Sequence, residues 1–186
     1  MIHALLTLVV VTAPTPTDDP QAILQEKTAE VKALMGKPAD EARRVALHGL
    51  VADLVDYQEL ARSSLRKHWD ARSEPERAEF TLLLQQLIEK SYLDQVAQQP
   101  DFDVAWEGSK RMKDGARAKV STLARAGKTA IEIEYRMVRR DTGWVVADIA
   151  VDGVSMVRNY RGSFGKIIQA DGWTALLEKM RAKLAE

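Results

Sequence analysis

The apolar pattern of this chain changes period at Pro100, and that change decides what class of fold it forms. Upstream, apolar residues recur at the three- and four-residue spacing of helices; from Phe102 they alternate, as in strands; beyond residue 151 helical spacing returns. Helices, then strands, then helices, segregated along one chain, imply an α+β fold with helices packed on one face of a sheet. A chain of 186 residues with 46% apolar composition has enough material for a substantial core.

Local signals divide these stretches into elements. Ile23, Leu24, Val31, Leu34 and Met35 define a first helix, which Gly36 and Pro38 interrupt. Asp40 is placed to cap a second, carrying Val45, Leu47, Leu50, Val51, Leu54 and Val55. Asp56 and Glu59 have capping-box spacing and open a third, YQELARSSLRKHW. Ser73 and Glu76 repeat the signal, with Pro75 in the first turn, ahead of a long helix over about 74–97. The apolar stripe of that helix is wider than one neighbour requires, so it is central or faces something greasy. The segments FDVAWEG, ARAKVSTLARA, TAIEIEYRMVRR and GWVVADIAV read as strands, and Asp114-Gly115, Ala126-Gly127 and Thr142-Gly143 supply the turns. Short connections make this a four-stranded antiparallel meander. The segment VDGVSMVRNYRGSFGKII and the segment WTALLEKMRAKL read as two closing helices, separated at Asp171-Gly172.

Composition removes several function classes. Lys plus Arg and Asp plus Glu number 27 each, so no net basic field exists to recruit nucleic acid. No cysteine is present, which excludes disulfides, thiol nucleophiles and cysteine-based zinc sites. His3, His48 and His68 lie far apart without ligand spacing, so no metal site is expected, and no G-x-S-x-G motif occurs. At the N-terminus, MIHALLTLVVVTA has the length and small-residue ending of an export signal, although its start carries only His3 in place of Lys or Arg. The expected division is a signal at 1–13, a Pro-rich spacer at 14–20 and one domain over 21–186.

Two features point toward function. The strand face made by Ala118, Val120, Thr122 and Ala124 is small-sided, and small side chains opposite a broad apolar helix leave room. Polar residues also enter apolar faces: Arg161 between Val157 and Phe164 on the helical wheel, and Asp148 on the strand face of Trp144 and Val146. A buried lone charge costs several kcal/mol, so Arg161 requires an anion. Asp148 or Asp152 would make a structural pair; a ligand phosphate would match the guanidinium equally well.

VDYQELARSSLRKHWDARSEPERAEFTLLLQQLIEKSY, IEYRM and GWVVADIAVDGVSMVRNYRGSFGKII together resemble the MlaC-type, toluene-tolerance family of periplasmic phospholipid shuttles of the Mla pathway in double-membrane bacteria. The most specific positions are Trp144, Asp148, Gly153, Val154, Ser155, Asn159, Tyr160, Arg161 and Phe164, with His68-Trp69 and Glu79-Phe80 upstream. The resemblance implies a helix-and-sheet fold with an apolar cleft for the acyl tails of a glycerophospholipid, held as cargo with its head group toward solvent. It implies partners in an inner-membrane ABC-type transporter complex and an outer-membrane lipoprotein complex, a periplasmic location, no cofactor and no catalysis. It favours the Arg161–Asp148 structural pair over head-group binding, with docking to the membrane-complex partners as a third role for Arg161.

Energetics set the scale of such a cleft. Each methylene hidden from water is worth about 0.8 kcal/mol, so leaving roughly eight wet costs about 6 kcal/mol. Both tails must be enclosed, which asks for a cavity on the order of 1,000 Å³. The helical candidates for its lining are Leu83, Leu84, Leu87, Ile88 and Tyr92, joined by Val154, Val157 and Tyr160. The strand candidates are Val120, Ile133, Tyr135 and Val146, assigned by alternation, so a one-residue slip would exchange them. Two other readings of these residues are an enzyme with Asp148 as base and Tyr135 or Tyr160 as hydrogen-bond donor, and a ligand-free adaptor.

Overall fold

The computed structural model describes residues 18–98 and 101–186; the expected export signal at 1–13 lies outside them. The element order is α1 (Pro20–Met35), α2 (Glu41–Leu54), α3 (Tyr57–Leu65), a turn of 3₁₀ helix (Arg66–His68), α4 (Glu74–Gln98), β1 (Phe102–Arg111), β2 (Arg117–Ala126), β3 (Thr129–Arg140), β4 (Gly143–Val151), β5 (Val154–Ser155) and α5 (Met156–Ala185). The caps fall where the acidic residues stand. Asp40 accepts from the Arg43 amide at 2.9 Å and Asp56 from the Glu59 amide at 2.8 Å. Glu76 reaches back to the Ser73 amide at 2.7 Å, the returning half of a capping box. α5 breaks at Gly172 (φ 88°, ψ 176°), so it comprises the two closing helices, joined without a loop.

The sheet is an antiparallel meander in the order β1-β2-β3-β4-β5. Its fifth strand was not expected. Asp152 and Gly153 both have positive φ (47° and 79°), the conformation of a two-residue hairpin turn, so Val154–Ser155 folds back on β4 before the helix starts. Helix α5 therefore begins at Met156, with the Ser155 hydroxyl accepting from the Arg158 amide at 3.1 Å. Val154 belongs to the hairpin and is 63% exposed; it does not sit on the helical apolar face assigned to it above.

The apolar interior forms two clusters. One is helical: Leu60, Leu65, Trp69, Phe80, Leu83, Leu84, Val157, Phe164, Leu176 and their neighbours from α3, α4 and α5. Phe80 anchors it, edge-on to Phe164 with centroids 5.4 Å apart. The other joins α1 to the sheet through Leu24, Ala118, Val120, Met137, Trp144 and Val146. Among the described residues only Val55 packs against both. Val55 runs beside Val146 along the part of the β4 edge that the short β5 leaves open, where the Asp56 amide donates to the Val146 carbonyl at 2.9 Å. Arg140 adds an ion pair to Asp56 at 2.7 Å.

Candidate functional site

The helical and sheet clusters are distinct, and Val55 is the residue shared between them among the described residues. α1 packs on β1 and β2, while α2, α3 and α5 pack on β4. Among the described residues no helix packs closely over β3, and α4, broadly apolar, packs on α2, α3 and α5 but closely on no strand. The central strand and the longest helix thus make little close backbone contact with each other.

On the sheet side, register fixes which side chains share a face. Tyr135 lies opposite Val120 on β2 and Ile149 on β4; Ile133 lies opposite Thr122 and Val151. Val120 and Thr122 are fully buried, and the Thr122 hydroxyl donates to the Ile133 carbonyl at 3.2 Å, so its polar atom is satisfied. Ile133 and Tyr135 are half-buried. On the helix side Leu87, Ile88 and Tyr92 are half-buried, whereas Leu83 and Leu84 point into the helical cluster. Burial pushes the Tyr135 phenol up to about 12, with the nearby Tyr92 phenol adding to the effect, and burial also raises Tyr92 itself. The rings of α4 and β3 therefore meet electrostatically in a water-poor setting.

The twelve lining candidates divide accordingly. Leu83, Leu84 and Val157 are buried in the helical cluster, with Leu87, Ile88 and Tyr160 packed against it. Tyr160 stacks on Phe164 at 5.3 Å. Val120 and Val146 are in the sheet cluster, with Tyr135 against it. Tyr92 and Ile133 are half-buried between the layers, and Val154 is exposed.

The expected ion pair between Arg161 and Asp148 does not form. Asp148, 8% exposed, accepts from Arg136 at 2.9 Å, from the Ser155 hydroxyl at 2.6 Å and from the Val157 amide at 3.0 Å. The cause is a bulge: Met137 pairs with Val146 but Arg136 pairs with Asp148, so Ala147 has no partner on β3 and the register advances by one residue. That shift sets Asp148 opposite Arg136, beneath the first turn of α5, where a carboxylate suits the helix N-terminus. Arg161 instead caps α3, donating from Nε and Nη2 to the Ser63 carbonyl at 3.2 and 2.9 Å. With both Asp148 oxygens engaged in a buried site, this carboxylate is not placed to serve as a general base.

Sequence reasoning missed a polar group inside the helical layer. Glu89 on α4 is 7% exposed, accepting from Gln85 at 2.8 Å and facing His48 Nδ1 of α2 at 3.0 Å. The Tyr57 hydroxyl is buried near it without completing a hydrogen bond; burial raises that phenol well above its ordinary value, and the Glu89 charge adds to the shift. Its available signal was the acidic residue interrupting the apolar stripe of α4 directly after Leu87-Ile88.

Among the described residues, two concavities border the helical layer. One of about 610 Å³ lies between α1, α2 and α4 and is lined by Met35, Leu47, Leu93, His48, Lys90 and the polar start of α2. Another of about 420 Å³ is walled by Arg62, Ser63, Arg66, Lys67, Trp69, Asp70 and Arg161. None of the twelve lining candidates borders either one. Among the described residues no helix is long and apolar enough to cross a membrane, and no acidic or histidine cluster is arranged to hold a metal.

Against known proteins, a family model described as MlaC protein matches residues 21–182. No curated protein matches the chain. A crystal structure of the phospholipid-binding protein from Ralstonia solanacearum, in complex with a phospholipid at 1.53 Å resolution, superposes with a TM-score of 0.80. The superposition covers 90% of this chain and 97% of that one at 17% identity, a similarity of fold.

Proposed function

This chain belongs to the MlaC family, and from that premise we propose that it is a phospholipid carrier whose cargo lies with its acyl tails between α4 and the β3 face of the sheet. The observation that carries the reading is the scarcity of close backbone contact between those two elements among the described residues, although both carry half-buried apolar side chains. A sheet and a helix that bury large side chains ordinarily close on each other, because every wet methylene costs about 0.8 kcal/mol. Here Ile133, Tyr135, Ile88 and Tyr92 remain half-buried, so surface is left that a pair of tails would cover. The related fold described with a bound phospholipid supports the same reading.

In this proposal the chain moves glycerophospholipid through the periplasm between an inner-membrane ABC-type transporter complex and an outer-membrane lipoprotein complex. Residues 1–13 act as the export signal, and 21–186 work as one lipid-binding domain. Binding and release are its chemistry; the enzymatic reading loses its base, because Asp148 is committed to Arg136, Ser155 and the α5 N-terminus.

The test is mass spectrometry of the organic extract from purified protein, alongside an Ile133→Trp variant that fills the space between the layers. Wild-type protein should release phospholipid, and the variant should lose it while keeping its far-ultraviolet circular dichroism. Lipid-free wild-type protein, or full lipid content in the folded variant, would defeat this placement of the cleft.

A further inference from the structure

The basic concavity beside α3 is bordered by none of the residues proposed to line the tails. It brings together two stretches separated by nearly a hundred residues: Arg62 to Asp70, and Arg161 of α5. Four cations, Arg62, Arg66, Lys67 and Arg161, face a single acid, Asp70, in a chain whose formal net charge is zero. Two of the four have structural employment. Arg62 pairs with Glu59 at 2.8 Å, and Arg161 holds the Ser63 carbonyl through Nε and Nη2. Arg66 and Lys67 make no ion pair or side-chain hydrogen bond with any described residue, yet stand side by side on the rim.

The backbone there is also costly. Arg66 has φ 49° and ψ −114°, a region that glycine occupies freely and a residue with a Cβ does not. A glycine would satisfy the turn after α3, and an arginine stands in its place. Arg161 sets its guanidinium against the negative end of α3, on the Ser63 carbonyl, so a cation stands between that end and the basin. The buried Trp69 walls the basin on one side. A cavity of about 420 Å³ admits a compact group rather than a flat partner surface.

From these features we propose that the basin binds a phosphate oxyanion, held by Arg66 and Lys67 at the rim and by Arg161 at the wall. Guanidinium forks match the tetrahedral oxyanion, and an ammonium supplies a point charge. The ligand is a phosphate group, whether free or carried on a glycerol backbone.

The experiment is NMR titration of the purified, folded chain, following the amides of residues 62–70 and the Arg161 Nε–H with inorganic phosphate and, separately, with sn-glycerol 3-phosphate. Saturable shifts confined to these groups support the site. Tighter saturation by glycerol phosphate identifies the lipid-type ester as the source, and tighter saturation by inorganic phosphate identifies the free ion. Arg66→Gly should weaken binding about tenfold while raising the melting temperature, because it removes charge and relieves the backbone together. Lys67→Ala should weaken it similarly with melting unchanged. Equal shifts with chloride, no saturation up to about 0.1 M phosphate, unchanged affinity in both variants, or a response only to a polyglutamate peptide would overturn the proposal. Both variants should retain wild-type lipid content, so the phosphate site and the tail cleft fail or stand separately.

Discussion

Replacing Asp148 by Asn tests the reassignment of the buried charge most directly. The carboxylate receives three hydrogen bonds from three different elements: Arg136 of β3 and Ser155 of β5 on Oδ2, and the Val157 amide of α5 on Oδ1. An asparagine has one oxygen to offer. With that oxygen toward Arg136, its amino group confronts the Val157 N–H; turned over, it confronts the guanidinium. Either way at least one buried donor loses its acceptor, at a cost of about 1–3 kcal/mol. Loss of the charge pair adds to this. Complete disruption of a fully buried pair costs about 3–5 kcal/mol. Here the Arg136 side chain keeps 32% exposure and retains Glu134 at 2.9 Å, so the added loss is far smaller, below about 1 kcal/mol. The expected total is about 2–3 kcal/mol, measured as urea unfolding of delipidated protein. At a slope near 2 kcal/mol/M the midpoint should fall by about 1–1.5 M. A fall below about 0.3 M at unchanged slope would refute the three-element role. A double-mutant cycle with Arg161→Ala sharpens the test: the two residues share no partner, so their effects should add within about 0.5 kcal/mol. Coupling well above that would restore the Arg161–Asp148 pair.

Phe80→Ala should cost about 3–5 kcal/mol in the same unfolding assay, because Phe80 is fully buried between Phe164 at 5.4 Å and Trp173 at 5.7 Å. Val154→Thr should change stability by less than about 0.5 kcal/mol and leave lipid content intact, since the side chain faces solvent on the β4–β5 hairpin. All four tyrosines, Tyr57, Tyr92, Tyr135 and Tyr160, are raised by burial above the ordinary phenol value. A folded pKa above the unfolded one contributes stability that is complete below pH about 10 and lost as pH climbs through the folded values. For Tyr135 that window runs from the unfolded value to about 12. Spectrophotometric titration should therefore show less phenolate in the native protein at pH about 10 than in the urea-unfolded chain, which is half ionised there; one tyrosine titrating normally in the folded state would contradict the water-poor setting.

Most of the element order was legible because local chemistry and tertiary structure agree. Asp40, Asp56 and Glu76 cap where they stand, and the glycines after Asp114, Ala126 and Thr142 turn the meander. What escaped were features that no local pattern encodes. A single extra residue in β4 leaves the alternation looking regular while moving Asp148 opposite Arg136. The two-residue β5 is too short to carry a period, so Val154 read as the first turn of a helix. The sequence pattern marks Arg161 as a cation that requires an anion, but its acceptor is a neutral backbone carbonyl 98 positions away, to which side-chain spacing gives no clue. The divided interior was visible only as two hints, small residues on β2 and an overly broad stripe on α4.

Val55 gives that divided interior a mechanical character. A single side chain shared by two oily masses, beside an amide pinned to the edge of β4, is where the helical and sheet interiors join. Elsewhere the helical layer is tied to the sheet near both of its edges, by α2, α3 and α5 on β4 and by α1 on β1 and β2. Any widening of the middle must therefore work against anchors on either side, not turn about one free hinge.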